Sequence, residues 1–109
     1  MHELGLAQEL VEIAAQSSGG ARILRVVVEV GMLAAVLPDA LRFSFDVVSA
    51  GTQAEGARLE IVEVPGLALC RACGGRVELR QPFGRCACGG TDLEWKSGEE
   101  LRIKELEVA

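Results

Sequence analysis

Tyrosine is absent from this 109-residue chain, and its only aromatic side chains are three phenylalanines and one tryptophan. Basic residues are also few, because 11 lysines and arginines stand against 16 aspartates and glutamates, for a formal net charge of −5. Proteins that bind nucleic acid or anionic membranes present a basic face, and single-strand binders add stacking aromatics. The composition therefore argues against both kinds of partner and favours a protein or a metal ion.

Long apolar runs are missing as well. No stretch of about 18 apolar residues exists, and the first residues lack the basic and apolar regions of a secretory signal, so we expect a cytoplasmic protein without a membrane segment. In a reducing cytoplasm, closely spaced cysteines indicate a metal site rather than disulfides. Half of the residues are apolar, which predicts a folded domain rather than a disordered chain.

Two stretches have the apolar spacing of helices. The first runs from residue 4 to residue 18 and is followed by two glycines, which commonly end helices. Its expected buried face is Leu4, Ala7, Leu10, Val11 and Ala14. The second starts at Pro38 and ends at Gly51. Four of its side chains are expected in the core, namely Phe43, Phe45, Val47 and Val48.

Stretches rich in β-branched residues predict strands at 21–31, 57–64 and 100–108. Two helices and these three strands make an α+β fold with a small mixed sheet, to which the last strand returns. Before that strand lies a stretch rich in glycine and cysteine, with too few large apolar residues for a core of its own. We therefore predict an α/β lobe of residues 1–66 and 99–109, with an inserted zinc-ribbon-like lobe of residues 67–98.

Four cysteines in two close pairs are the main chemical feature of the inserted lobe. Two residues separate Cys70 from Cys73, one residue separates Cys86 from Cys88, and twelve residues lie between the pairs. Two such pairs joined by a short hairpin can converge on one tetrahedral Zn²⁺, and the glycine after each pair permits a tight turn. Because four sulfurs saturate the ion, the pattern indicates a structural rather than a catalytic zinc site.

The single residue between Cys86 and Cys88 departs from the two to four residues that are usual in structural zinc sites. The ordinary turn around the metal cannot form unchanged there, and these two cysteines could bind zinc less firmly than the first pair. A redox dithiol of Cys70 and Cys73 is the alternative, although no βαβ pattern surrounds them.

His2 is the only histidine and lies beside the start of the chain. One interpretation is a polar side chain in solvent just before a helix. In the other, the imidazole and the α-amine titrate near neutral pH and can lose a proton to a metal at little cost. An ion held there can displace protons from backbone amides and complete a planar set of nitrogen donors, which suits Ni²⁺ or Cu²⁺ rather than Zn²⁺.

Four features together resemble the HypA/HybF nickel metallochaperones of [NiFe]-hydrogenase maturation over essentially the whole chain. They are MHELGLAQELV, LRFSFDVVSAGTQAEGARLEI followed by VPGLALC, the paired cysteines, and the closing LRIKELEV. The resemblance implies that Ni²⁺ binds at His2 among backbone nitrogens, that Glu3 contributes, and that the Met1 amine is a candidate donor. The zinc ligands that it implies are Cys70, Cys73, Cys86 and Cys88.

The family's second cysteine pair usually reads Cys-Pro-x-Cys, and the shorter Cys86-Ala-Cys88 of this chain departs from it. The resemblance also implies a division of labour, in which the α/β lobe binds nickel and the inserted lobe binds zinc. The expected function is that of a non-enzymatic carrier, which delivers Ni²⁺ toward the large subunit of a [NiFe]-hydrogenase with a HypB-type GTPase as partner.

Other classes of function stay open on the sequence. A zinc-ribbon module that binds protein or nucleic acid without a nickel role would also explain the cysteines, although the acidic balance disfavours nucleic acid. An enzyme is disfavoured, since no second histidine is available as a general base and no nucleophile–base pair or phosphate-binding glycine loop is visible. The final strand leaves pairing into a homodimer open.

Overall fold

The computed structural model describes residues 2–109, and these form an α+β fold of two α-helices, one 3₁₀ turn and six strands. The helices are α1 (Glu3–Ser18) and α2 (Pro38–Ser49), and the 3₁₀ turn spans Met32–Ala34. The strands are β1 (Ile23–Gly31), β2 (Arg58–Val64), β3 (Gly66–Cys70), β4 (Arg76–Leu79), β5 (Leu93–Ser97) and β6 (Leu101–Val108). The predicted fold class is confirmed. None of the described helices has the length and apolar character needed to cross a membrane.

The strands form two three-stranded sheets, with the orders β2-β1-β6 and β4-β3-β5. The chain separates into two compact units. The helical unit comprises the residues up to 29 together with 36–62 and 102–109, and the cysteine unit comprises 30–35 and 63–101. The cysteine unit thus takes in residues 30–35, which are remote in sequence from the predicted 67–98 lobe.

Helix α1 follows the predicted pattern closely. Its buried residues are Ala7, Leu10, Val11 and Ala14. The helix ends at Gly19, whose φ of +62° is the left-handed conformation that terminates helices. Leu4, expected on the same face, is half exposed (50 %) because it lies in the first turn of the helix.

Helix α2 corrects part of the predicted core. Phe45 is fully buried, but Phe43 and Val47 are 71 % and 52 % exposed, so the prediction that they lie in the core was wrong. The reason is geometric, since residues two apart on a helix point in nearly opposite directions and only one of Phe43 and Phe45 can face inward. The buried residues of α2 are Leu41, Phe45 and Ser49.

Strand β1 is the centre of the first sheet, where Ile23, Val26 and Val28 are almost fully buried. The closing strand β6 pairs with it, as predicted. The guanidinium of Arg25 on β1 lies 2.9 Å from a carboxylate oxygen of Glu60 on β2 and 3.1 Å from one of Glu107 on β6. One side chain therefore links all three strands of the sheet.

The cysteine unit is built on β3, which pairs antiparallel with both β4 and β5. Its small core consists of Leu33, Ala68 and Leu79, against which Val77 and Leu93 pack. Leu33 belongs to the 3₁₀ turn, and its N–H donates to the carbonyl of Gly98 at 2.8 Å. The turn after β1 thus contributes a core side chain that the 63–101 segment lacks.

Candidate metal centre

The first pair of cysteines is held by a turn at the end of β3. The Cys70 N–H donates to the carbonyl of Gly75 at 2.9 Å, and the Gly74 N–H donates to the carbonyl of Cys70 at 2.7 Å. The Gly75 N–H points at the sulfur of Cys73, 3.3 Å away. Gly74 has a φ of +74°, which glycine adopts without steric cost.

The second pair forms the same kind of turn with one residue fewer. The Cys86 N–H donates to the carbonyl of Gly90 at 2.9 Å, and the Gly90 N–H points at the sulfur of Cys88, 3.4 Å away. The Gly89 N–H donates to the carbonyl of Cys86, three residues earlier, at 2.8 Å. In the first turn, the corresponding hydrogen bond joins residues that are four apart. This tighter turn compensates for the single residue, rather than two, between the cysteines of the second pair.

All four cysteine sulfurs lie within 4.8 Å of one another. Across the pairs, Sγ of Cys70 is 3.6 Å from that of Cys88, and Sγ of Cys73 is 3.6 Å from that of Cys86. A disulfide would need about 2.05 Å, so these are free thiols. Sulfurs bound to one tetrahedral Zn²⁺ at about 2.3 Å lie about 3.8 Å apart, so this donor set fits the ion.

The environment of the sulfurs differs from one cysteine to the next. Cys70 and Cys86 are buried, whereas Cys73 and Cys88 are exposed. The N–H groups of Cys73 and Ala72 lower the pKa of the Cys70 thiol to about 7. The Gly75 N–H also favours the Cys73 thiolate, but hydrogen bonds with the other three thiols outweigh it and raise the pKa of Cys73 to about 12. The Cys70 thiol therefore ionises before the Cys73 thiol, and a metal that binds both must displace a proton from Cys73.

The residues predicted to bind nickel lie at the start of α1. His2 is the N-cap residue, and its imidazole is exposed and makes no capping hydrogen bond. Glu3 accepts a hydrogen bond from the Leu37 N–H at 3.1 Å, which together with its own N–H lowers the pKa of the Glu3 carboxyl. Met1 lies outside the described residues.

Only the cysteines converge as a set of metal-binding side chains. Within residues 2–109, they are the one group of three or more His, Cys, Asp or Glu side chains close enough to hold a single ion. Among residues 2–109, no third side chain of this kind lies close enough to share an ion with His2 and Glu3.

Two structural contributions escaped the sequence-based prediction. The second glycine of each Cys-Gly-Gly motif, Gly75 and Gly90, donates its N–H toward a sulfur. The repetition of this motif was the signal that could have revealed them. Leu37, the hydrogen-bond partner of Glu3, left no signal, because the two residues are brought together only by the fold.

The fold and the cysteine centre together define a small two-unit metal-binding protein. A family model described as "Hydrogenase/urease nickel incorporation, metallochaperone, hypA" matches residues 1–108. The chain is 53 % identical over 108 residues to the hydrogenase maturation factor HypA of Trichormus variabilis, covering 99 % of this chain and 96 % of that protein. Its identity to the HypA of Geobacter metallireducens is 48 % over 109 residues, with 99 % of each protein covered.

A solved structure shows the same fold. The solution structure of the Ni metallochaperone HypA from Helicobacter pylori matches with a TM-score of 0.68 at 23 % identity, covering 99 % of this chain and 97 % of that one. The chain belongs to the HypA family of hydrogenase maturation factors and nickel metallochaperones. The family resemblance drawn from the sequence is confirmed.

Proposed function

We propose that this protein is a non-enzymatic nickel carrier, which binds Ni²⁺ at its amino-terminal end and delivers it during maturation of a [NiFe]-hydrogenase. The observation that carries the proposal is membership of the HypA family over residues 1–108, a match that includes the Met-His-Glu start. The exposed imidazole of His2, which makes no capping hydrogen bond, supports it because the ring nitrogens are available to an ion.

The proposed nickel ligands are the His2 imidazole and neighbouring backbone nitrogens, with Glu3 contributing and the Met1 amine as a further donor. A planar set of nitrogen donors suits Ni²⁺. Protonation of the amine and imidazole, or a competing ligand, dismantles such a site, and a carrier has to release its ion. The hydrogen bond from Leu37 gives Glu3 a second task, which is to hold the start of α1 against residue 37.

The proposed resident metal is Zn²⁺, held by Cys70, Cys73, Cys86 and Cys88. The sulfur separations support this assignment because they match tetrahedral coordination. When bound, zinc supplies a cross-link between the two cysteine turns. Because the core cluster of Leu33, Ala68 and Leu79 in this unit is small, the cross-link accounts for much of its stability.

The proposed partners are a HypB-type GTPase and the large subunit of a [NiFe]-hydrogenase. Family membership supports both assignments. The net charge of −5 supports a protein partner over nucleic acid or a membrane surface. The proposed compartment is the cytoplasm, where reductants keep the four thiols available to a metal.

The test is nickel titration of the His2→Ala variant. We expect this variant to lose nickel binding while it keeps the zinc content and circular dichroism spectrum of the natural chain. Gln8→Ala is the matched control, because it removes an exposed side chain of α1 that is not among the proposed nickel ligands. Equal nickel uptake by His2→Ala and the natural chain would refute the proposal.

A further inference from the structure

An open groove lies in the cysteine unit, apart from the four sulfurs. Its volume is about 480 Å³. Its walls include Pro82, Phe83, Arg85, Thr91, Leu93 and Trp95. Phe83 and Trp95, the only aromatic side chains of this unit, are 69 % and 36 % exposed. Large aromatic side chains in solvent beside a groove are typical of recognition surfaces rather than of a protein interior.

The groove is preformed by close packing. Leu93 and Trp95 alternate along β5 and so share one face of the strand, and Leu93 packs on the small core. Gly84 also lines the groove, and a Cβ there would lie 2.6 Å from Cδ2 of Leu79, a core residue. Glycine at position 84 therefore lets the loop that carries Phe83 lie directly on the core.

Arg85 brings a positive charge to this groove without a carboxylate to neutralise it. Three other basic side chains of the unit are engaged, since Arg71 pairs with Asp92 at 3.1 Å, Arg80 with Glu78 at 3.1 Å, and Lys96 with Glu94 at 2.8 Å. Within the part of the chain that the structure describes, Arg85 and Arg76 have no such ion pair. Of these two, only Arg85 lines the groove.

We propose that this groove docks an extended segment of a partner protein in which a large apolar side chain stands next to a carboxylate. The apolar side chain contacts Phe83 and Trp95, and the carboxylate pairs with the fork of Arg85. The groove is too open to enclose a small molecule, which a ligand pocket buries almost completely. Among the residues that line the groove, Arg85 is the one basic side chain, and a single cation suits one carboxylate better than the regular row of phosphates in a nucleic-acid strand. The small area predicts transient binding.

Trp95 is the only tryptophan, so its fluorescence reports on the groove directly. The probe is the peptide acetyl-Asp-Glu-Leu-Phe-Asp-Glu-amide, titrated into the zinc-loaded full chain. We expect a saturable change in Trp95 emission below about 1 mM peptide. The charge-reversed peptide acetyl-Lys-Lys-Leu-Phe-Lys-Lys-amide should bind at least about tenfold more weakly. No response to the acidic peptide, or an equal response to both, overturns the proposal.

Matched variants separate the charge from the aromatic wall. Arg85→Ala should weaken binding of the acidic peptide at least about tenfold, whereas Arg76→Ala removes the other unpaired arginine of the cysteine unit and should leave binding unchanged. Phe83→Ala should also weaken it, and Leu37→Ala, which truncates an equally exposed apolar residue of the helical unit, should not. Zinc content and circular dichroism check that each variant is folded. If the two arginine variants weaken peptide binding equally, or if Phe83→Ala and Leu37→Ala do, the peptide does not bind in this groove.

Other occupants give distinct results in the same assay. Saturable binding of a single-stranded deoxythymidine decamer that depends on Arg85 would make the groove a nucleic-acid site. An emission spectrum of Trp95 that changes with chain concentration, together with a dimer in sedimentation, would assign it to a second copy. Either result overturns the proposal. His2→Ala should leave peptide binding intact, so this test is independent of the nickel proposal.

Discussion

Glycines beside the cysteines explain how Cys86 and Cys88, with one residue between them, place their sulfurs next to those of the first pair. Gly74 and Gly89 take left-handed conformations, with φ of +74° and +92°, that turn the chain back after each pair. Gly90 is needed for a different reason. A Cβ at this position would lie 2.9 Å from the sulfur of Cys70 and 3.3 Å from that of Cys88. Its small size therefore lets sulfurs of the two pairs approach each other.

The Gly90→Ala substitution tests this interpretation. The added methyl group should displace the Cys70 and Cys88 sulfurs and lower zinc affinity at least about tenfold, measured by competition with a chelator. Gly5→Ala is the control, because a Cβ there meets nothing within 4 Å. It lies inside α1 and should stabilise the protein by about 0.5–1 kcal/mol without changing zinc affinity. Unchanged zinc affinity in Gly90→Ala would show that the sulfurs of Cys70 and Cys88 do not pack closely on residue 90.

Glu3 combines a structural contact with its proposed nickel role, and two substitutions separate them. Glu3→Ala removes the acceptor for the Leu37 N–H and should lower the melting temperature. Glu3→Gln keeps an acceptor oxygen and should melt closer to the natural chain. If the charge serves nickel, both variants should bind Ni²⁺ more weakly. Weaker binding in Glu3→Ala alone would instead restrict Glu3 to positioning α1.

At the scale of elements, one charged residue contacts both neighbours of the central strand in the sheet β2-β1-β6. Arg25 is bonded to Glu60 and Glu107, and Glu105 lies 4.0 Å away. Its side chain is 25 % exposed, and the hydrogen bonds that its guanidinium donates to Glu107 and then to Glu60 raise the pKa of that guanidinium. Removing it leaves the carboxylate of Glu60 on β2 and those of Glu105 and Glu107 on β6 without the cation between them.

The Arg25→Ala variant should therefore be clearly destabilised. We expect its melting temperature to fall several times more than that of Arg58→Ala. Arg58 also pairs with Glu60, at 3.2 Å, but its side chain is 74 % exposed, and such surface pairs contribute little. High salt should reduce the difference in melting temperature between the two variants, because it screens the repulsion between the carboxylates. Equal melting temperatures for the two variants would show that Arg25 does not hold the strands together.

The elements that the sequence predicted are those with a strong local pattern. Both helices and strands β1, β2 and β6 carry repeating apolar positions or dense β-branched residues over at least seven positions. Strands β3, β4 and β5 span only four or five residues each in a glycine-rich stretch, which is too short for such a pattern. On α2, the prediction identified the helix but placed two outward side chains in the core, because hydrophobicity alone does not choose between Phe43 and Phe45.

For the whole molecule, the sequence predicted the convergence of the four cysteines better than the unit around them. Cysteine spacing is local information, and it indicated that the four sulfurs would converge. The packing of Leu33 on Ala68 and Leu79 joins residues far apart in the chain, and nothing near Leu33 signals it. The groove beside Trp95 was missed for the same reason, since its walls come from separate segments.

Zinc removal should act on one unit only. Chelation, or Cys73→Ala, should abolish hydrogen-exchange protection across residues 63–101, whose core is small, while protection in α1 and α2 persists. Ala87→Ser is the control, because it changes the residue between Cys86 and Cys88 without removing a sulfur. A cysteine unit that keeps full protection without zinc would contradict the structural role proposed for the ion.

The central claim is that two metals occupy two different donor sets in this chain. X-ray absorption spectroscopy at the nickel and zinc edges of the doubly loaded protein tests it most directly. We expect nickel in a planar shell of nitrogen and oxygen donors, and zinc among four sulfurs at about 2.3 Å. Nickel in a sulfur shell, with the amino-terminal donors unused, would contradict it.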